Sequence, residues 1–149
     1  MKPTRTWIVI ADGARAHAVV NVGAGKGVKP VRGFQLQASH DQDRDINADR
    51  PGRTFDSHGP GRHAMEPPSS PHRQNKARFA KLIVETLDAR LADDEFDKLV
   101  IVAPATTLGD LRSYYSKALR SRITSEVEKD LTHTPNNELA RHLGNVLPI

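Results

Sequence analysis

The fold is decided by Trp7-Ile8-Val9-Ile10-Ala11, an unbroken apolar run of strand length that Asp12-Gly13 follows at once. A strand that is apolar on both faces is usually central in its sheet. Asp-Gly is a strong turn signal, so we expect the chain to reverse direction there. The segment therefore predicts a central β-strand that leads into a hairpin.

Two further strands are predicted after this turn. From Arg15 to Val22 the alternation puts three residues on one face: Ala16, Ala18 and Val20. The glycine-rich segment Gly23–Gly27 is typical of a second turn, and Val31–Leu36 forms a third strand in which Phe34 and Leu36 share a face. Three strands joined by short turns make an antiparallel meander.

The periodic pattern then stops over a long polar stretch. Between Ala38 and Pro71 the sequence contains several prolines and glycines, and its few apolar residues have no period. A segment of this length without secondary structure is uncommon in a compact domain and is usually functional or disordered. We expect a long polar loop at about residues 38–71.

A helix is predicted to begin at Pro71 and to run to about Leu91. Its apolar residues recur at helical spacing and form one stripe: Phe79, Leu82, Ile83, Leu87 and Leu91. The apolar segment Lys98–Ala103 predicts a second buried strand, which Pro104 ends.

The remaining elements are predicted from capping signals. Thr107–Asp110 matches a capping box for a helix, whose buried face would hold Leu108, Leu111, Tyr115 and Leu119. Ile123–Lys129 is typical of a short, half-exposed strand. Thr134 would cap a last helix with Pro135 at its first position, and its packing residues would be Leu139, Leu143 and Leu147.

The element order is therefore β-β-β, long loop, then α-β-α-β-α. Helices and strands alternate in the second half, so part of the sheet should be parallel. This order predicts an α/β protein with a ribonuclease-H-like mixed sheet. At 149 residues, the chain fits a single domain that spans residues 1–149.

Composition restricts the function classes. The chain contains no cysteine, which excludes disulfides, thiol nucleophiles and cysteine-ligated zinc. The apolar run after the basic start is too short for a signal peptide or a membrane span, so we expect a cytoplasmic protein without a membrane partner. The net charge of +4 permits an anionic partner, whereas the 5% aromatic content argues against a base-stacking surface for single strands.

Several segments resemble the bacterial host-attachment family, which is named for a role in attachment to host cells. The matching segments span nearly the whole chain: Trp7–Asp12, Asp49–Arg53, Gly61–Pro67, Arg78–Ala80, Ala103–Pro104, Leu108–Arg112 and Lys129–Thr132. The resemblance implies a role in attachment to host cells.

The family in turn resembles the middle domain of archaeal and eukaryotic peptide-chain release factors. In those domains a loop ending in Gly-Gly-Gln leads into a helix that carries Arg-Phe-Ala, and the glutamine assists hydrolysis of peptidyl-tRNA. Here the loop segment His58–Arg62 precedes a helix with Arg78-Phe79-Ala80, and Gln74 lies near the helix start, but Gly-Gly-Gln is absent. The resemblance therefore implies a related fold, with esterase activity left open.

The loop and the start of the helix provide the candidate binding residues. Arginines flanked by glycines let the backbone approach a phosphate closely, and a helix start adds positive potential. The predicted RNA- or phosphate-binding residues are Arg50, Arg53, His58, Arg62, His63, Arg73, Gln74 and Lys76. The alternatives are a solvated insertion and a loop that orders on a protein partner.

Two kinds of metal site stay open beside this interpretation. Asp56, His58 and His63 are possible ligands, but their spacing matches no standard pattern. A metal nuclease would need carboxylates that converge, and the candidates are Asp12, Asp130 and Glu85. Neither set completes a motif, so we predict no cofactor, no resident metal and no assigned catalytic residue.

The sequence thus favours a cytoplasmic binding module that contacts RNA or the translation machinery. A release-factor-like peptidyl-tRNA esterase is one alternative. A protein-interaction module that acts indirectly in attachment is the other.

Overall fold

The computed structural model describes residues 3–38 and 71–149. Over these ranges the chain forms a five-stranded sheet and four α-helices. The elements are β1 Thr6–Ala11, β2 Arg15–Gly23, β3 Gly27–Gln37, α1 Pro71–Ala92, β4 Lys98–Ala103, α2 Ala105–Arg112, α3 Lys117–Arg122, β5 Ile123–Glu128 and α4 Leu139–Leu143, the last preceded by a 3-10 turn at Asn136–Glu138. The predicted loop at 38–71 lies almost wholly outside the described residues.

The sheet is mixed, and its strand order is β3-β2-β1-β4-β5. β1 pairs with β2 in the antiparallel direction and with β4 in the parallel direction. β3 extends the antiparallel side and β5 extends the parallel side. The central place predicted for β1 is confirmed, and so is the mixed α/β class.

Both faces of the sheet are covered, which explains why β1 and β4 are continuous apolar runs. Successive side chains of a strand point to opposite faces. In β1, Trp7 and Val9 join a core with α1, α2 and α3, whereas Ile8 and Ile10 join a second core with α4. The sheet therefore separates two apolar layers.

The predicted antiparallel meander is confirmed, but its third strand is longer than the predicted Val31–Leu36 and runs from Gly27 to Gln37. Ala16 and Ala18 are buried in the first core, and Val20 packs against it. Phe34 and Leu36 contact this same core. The turn between β2 and β3 relies on Gly25, whose φ of 76° lies in the region that favours glycine.

The predicted long helix is confirmed as α1, with one residue wrongly assigned to its buried side. Phe79, Ile83 and Leu87 are buried, but Leu82 is 44% exposed. α1 packs on the sheet and also on α2 and α3, so Ala80 and Val84 are buried as well. Leu82 lies about 200° around the helix from each of these two residues and therefore faces solvent.

The capping box predicted at Thr107–Asp110 is wrong. α2 begins two residues earlier, at Ala105, with Pro104 as its N-cap and no side-chain capping bond. The Pro104 carbonyl accepts the first helical bond, from the Leu108 amide at 2.9 Å. Thr107 is instead buried inside the helix.

The single helix predicted as far as Leu119 is divided into α2 and α3. Ser116 adopts an extended conformation and caps α3, because its hydroxyl accepts a bond from the Leu119 amide at 3.0 Å. The predicted buried residues are nonetheless correct. Leu108, Leu111 and Leu119 are buried, and Tyr115 packs against them at the edge.

The last helix also begins differently from the prediction. Pro135 is the cap of the 3-10 turn and not the first residue of an α-helix, and Thr134 provides no side-chain cap. Leu139 and Leu143 are buried as predicted, and Leu147 packs beside them. None of the helices in residues 3–38 and 71–149 combines the length and the apolar character that a bilayer span requires.

Candidate functional site

A cleft of about 500 Å³ opens between the end of β1 and the start of α1. The β1–β2 turn contributes Asp12, Gly13 and Ala14, while the first turns of α1 contribute His72, Asn75 and Lys76, and Ala38 completes the lining. The three α1 residues share one side because positions three and four apart are neighbours on a helix. The cleft therefore lies where the predicted loop leaves and rejoins the described chain.

The floor of the cleft is a rigid turn. The Asp12 carboxylate accepts bonds from the Ala14 and Arg15 amides at 2.7 and 2.8 Å. Gly13 lets the Lys76 side chain cross the turn, because a β-carbon added at Gly13 would lie 3.2 Å from Lys76 Cγ. The Asp12 bonds order the turn itself, and the close approach of Lys76 places the turn beside α1.

Two carboxylates, those of Asp12 and Asp130, lie on either side of one threonine hydroxyl beside this turn. The Thr132 hydroxyl lies 3.2 Å from Asp12 Oδ2 and 2.7 Å from Asp130 Oδ1. Its hydrogen bond to Asp130 holds the pKa of that carboxyl below the usual range. Glu85 is exposed on α1 and does not join them.

The described residues therefore do not bring together the three carboxylates that the metal-nuclease alternative would need. No group of three or more histidines, aspartates or glutamates within residues 3–38 and 71–149 is arranged to hold a metal ion. The other proposed ligands, Asp56, His58 and His63, lie outside the described residues.

Arg73 forms an ion pair that joins the start of α1 to α2. Its guanidinium donates to both oxygens of Asp110, and the Nη1 to Oδ2 distance is 2.7 Å. Asp110 is only 9% exposed. Such a carboxylate needs a paired donor, because burial without one carries a large desolvation cost.

The predicted binding residues therefore divide into three groups. Arg50, Arg53, His58, Arg62 and His63 lie outside the described part of the chain. Gln74 and Lys76 are exposed on the first turns of α1. Arg73 lies beside them but pairs with Asp110.

Three residues of this region were missed at the sequence level. His72 carried a signal that could have identified it, because it lies four positions before Lys76 on a predicted helix. Asp110 and Thr132 lie in the family-like segments Leu108–Arg112 and Lys129–Thr132, but their contacts have no local signal, since their partners Arg73 and Asp12 are 37 and 120 positions away.

A smaller cleft of about 290 Å³ lies at the open end of β2 and β3. Its polar lining consists of Arg15, His17, Gln35, Gln37 and Asn136. Burial lowers the pKa of the His17 imidazole, so the ring is neutral near pH 7. These side chains can exchange hydrogen bonds with a polar group.

Positive charge is concentrated on the first half of α1. From Pro71 to Lys81 the helix carries Arg73, Lys76, Arg78 and Lys81 without a carboxylate, and the first acidic residue is Glu85. Lys76, Arg78 and Lys81 are all exposed. We call residues 71–81 the α1 basic segment.

Comparison with known proteins identifies the family. Residues 7–143 match the family described as "Protein required for attachment to host cells". No curated protein matches the chain. The match covers all four described helices and all five strands except Thr6, the first residue of β1, and the chain therefore belongs to this host-attachment family.

Proposed function

We propose that this host-attachment protein is a cytoplasmic binding module for RNA or the RNA-containing translation machinery. The observation that carries the proposal is the α1 basic segment, where Lys76, Arg78 and Lys81 are exposed and no carboxylate occurs within the eleven residues. Its fourth cation, Arg73, pairs with Asp110. The amino-terminal end of a helix adds positive potential to those side chains. An exposed surface of this kind attracts a phosphate backbone.

The adjoining chain strengthens this proposal. Arg50, Arg53 and Arg62 belong to the segment that ends where α1 begins. Guanidinium groups bind phosphate through paired donors. We assign to these residues, together with His58, His63, Gln74 and Lys76, contacts to the same RNA backbone.

The strand order also supports the proposed resemblance to ribonuclease-H-like folds. An antiparallel meander that is continued by two parallel strands, in the order β3-β2-β1-β4-β5, matches that layout. Fold alone does not specify activity, so the proposal rests on the charged surface.

The experiment compares two variants that lose the same charge. One variant changes Lys76, Arg78 and Lys81 to glutamine. The control changes three exposed cations of the β2–β3 hairpin to glutamine: Lys26, Lys29 and Arg32. Binding of fluorescently labelled single-stranded RNA is measured by anisotropy at several salt concentrations.

We expect the wild type and the hairpin variant to bind RNA similarly and the α1 variant to bind weakly. Each lost phosphate contact to a single strand reduces the log–log salt slope by about 0.7, so three lost contacts reduce it by about 2. Equal weakening in both variants would contradict a localised surface. Absence of RNA and ribosome binding by the wild type would favour the alternative of a protein-interaction module.

The esterase alternative is tested with the same proteins. Gln74 is exposed on the first turn of α1, near the position that the glutamine of release factors occupies in their sequence. If the chain were such an esterase, wild-type protein would release the acyl group from peptidyl-tRNA and Gln74→Ala would not. The binding-module proposal expects no release by either protein.

A further inference from the structure

A second positively charged surface lies on α3 and the turn before it. Between Leu111 and Ser125 the chain contains no acidic residue but has four cations. The exposed residues of this surface are Arg112, Tyr114, Lys117, Arg120 and Arg122. We call these five residues the α3 basic surface.

Neighbouring groups hold several of these side chains in place. Arg112 Nε donates to Glu126 at 3.0 Å, and Arg120 lies 5.8 Å from the centre of the Tyr115 ring. Arg122 Nη1 lies 3.3 Å from the Asp97 carbonyl. Cations that are already ordered lose less conformational freedom when they bind a ligand.

The surrounding charge leaves the surface positive. Glu126 accepts bonds from both Arg112 and the Tyr115 hydroxyl. The Asp97 carboxylate also attracts Arg122, although Asp97 is already paired with Arg5. Asp88 accepts a bond from the Ser116 hydroxyl at 2.7 Å. The four cations therefore exceed the carboxylates around them.

The α3 basic surface belongs to the same helical layer as the α1 basic segment. α1 packs against both α2 and α3 on the first face of the sheet. Arg73 pairs with Asp110 at one end of this contact, and Asp88 bonds Ser116 farther along α1. The chain thus presents two positive surfaces on one layer.

We infer that the α3 basic surface binds a single strand of RNA and extends the contact made by the α1 basic segment; this inference rests on the proposed function. Three of its four cations are arginines, whose forked donors fit phosphate oxygens. Tyr114 is 37% exposed beside them and offers a ring on which one base stacks. An acidic protein would also match the positive charge of this surface, but it has no nucleotide base to stack on Tyr114.

The decisive variant changes Lys117, Arg120 and Arg122 to glutamine, with the hairpin variant at Lys26, Lys29 and Arg32 as the matched control. A separate variant, Tyr114→Ala, tests stacking without a change in charge. Circular dichroism melts of each variant establish that it is folded. Arg120 and Arg122 contact neighbouring residues, so their substitution also removes contacts within the protein. Lys117 is exposed, and Lys117→Gln is therefore included as a separate single variant.

We expect the triple variant to flatten the salt slope of RNA binding by about 2 and the hairpin variant to leave it unchanged. Tyr114→Ala should weaken RNA binding on the order of tenfold and leave binding to polyglutamate of similar length unchanged. Lys117→Gln should reduce the slope by about 0.7.

Three results separate this inference from the proposed function. If the wild type binds no RNA, both fail. If the α1 variant binds weakly but the α3 variants behave like the hairpin variant, only the α3 inference fails. If polyglutamate binds the wild type as tightly as RNA does and Tyr114→Ala has no effect, the surface binds acidic protein and the inference is overturned.

Discussion

The ion pair between Arg73 and Asp110 should contribute to stability, and a double-mutant cycle can measure this contribution. The perturbations are Arg73→Met, Asp110→Leu and the double variant, each followed by urea denaturation and circular dichroism. The Arg73 and Asp110 side chains are 24% and 11% exposed. This pair is therefore nearer to the buried class than to the exposed class.

The expected magnitude follows from these exposures. Breaking a fully buried pair costs about 3–5 kcal/mol, whereas an exposed pair contributes about 0–1 kcal/mol. Arg73→Met leaves the Asp110 carboxylate without this donor. Because Arg73 is partly exposed, we expect a loss of stability of about 2 kcal/mol, which is below the value for a fully buried pair. Asp110→Leu should cost less, because Arg73 can still reach water. The coupling energy should be about 2 kcal/mol.

The pair Arg112 and Glu126 provides a control, since the Arg112 side chain is 53% exposed. Its coupling energy should be below about 1 kcal/mol. A coupling energy for Arg73 and Asp110 below about 0.5 kcal/mol would refute the assignment of Arg73 as the residue that joins α1 to α2. Arg73 would then be available to donate to RNA phosphate and would count among the proposed RNA-binding residues.

Three other predictions test the packing and the electrostatics. Phe79→Ala should destabilise the protein by about 3–5 kcal/mol, whereas Leu82→Ala should destabilise it by less than about 0.5 kcal/mol. Urea denaturation measures both losses. If the two losses are similar, the buried side of α1 is misassigned. The hydrogen bond and charge of Arg5 lower the pKa of Asp97 to about 2, so this carboxylate stabilises the fold above pH 4 and loses that effect as the pH falls towards 2. Acid titration of Arg5→Gln should show a smaller loss of stability than wild type over that range, and identical titrations would contradict the pairing. Burial lowers the pKa of His17, so stability should decrease as the pH falls below about 6.5, and His17→Gln should remove that decrease; a decrease that persists in His17→Gln has another source.

The sheet could be predicted because its central strands carry an unambiguous signal. β1 and β4 are buried on both faces, so their apolar runs are continuous and their ends are marked by Asp12 and Pro104. The helix boundaries were less predictable, because the cap of α2 is a backbone conformation at Pro104 and not a side-chain motif. Helical spacing wrongly places Leu82 on the buried side, because a single apolar stripe allows for one packing partner, whereas α1 packs against several.

The candidate site was predictable only where its residues are close in sequence or lie at strand ends. The approach of Asp12 and Asp130 follows from the positions of the strands that precede them. The pairing of Arg73 with Asp110 depends on how α1 and α2 pack, which no local pattern contains. The α3 basic surface depends on the break at Ser116, which the sequence did not reveal.

The salt dependence of RNA binding by the wild-type protein tests the central claim most directly. If the α1 basic segment and the adjoining arginines make at least four phosphate contacts, the log–log slope should be about −3 or steeper, and contacts from the α3 basic surface would steepen it further. RNAs of different sequence should give similar slopes, because phosphate contacts carry no sequence information. Absence of binding at low salt, or a slope near zero, would contradict the account.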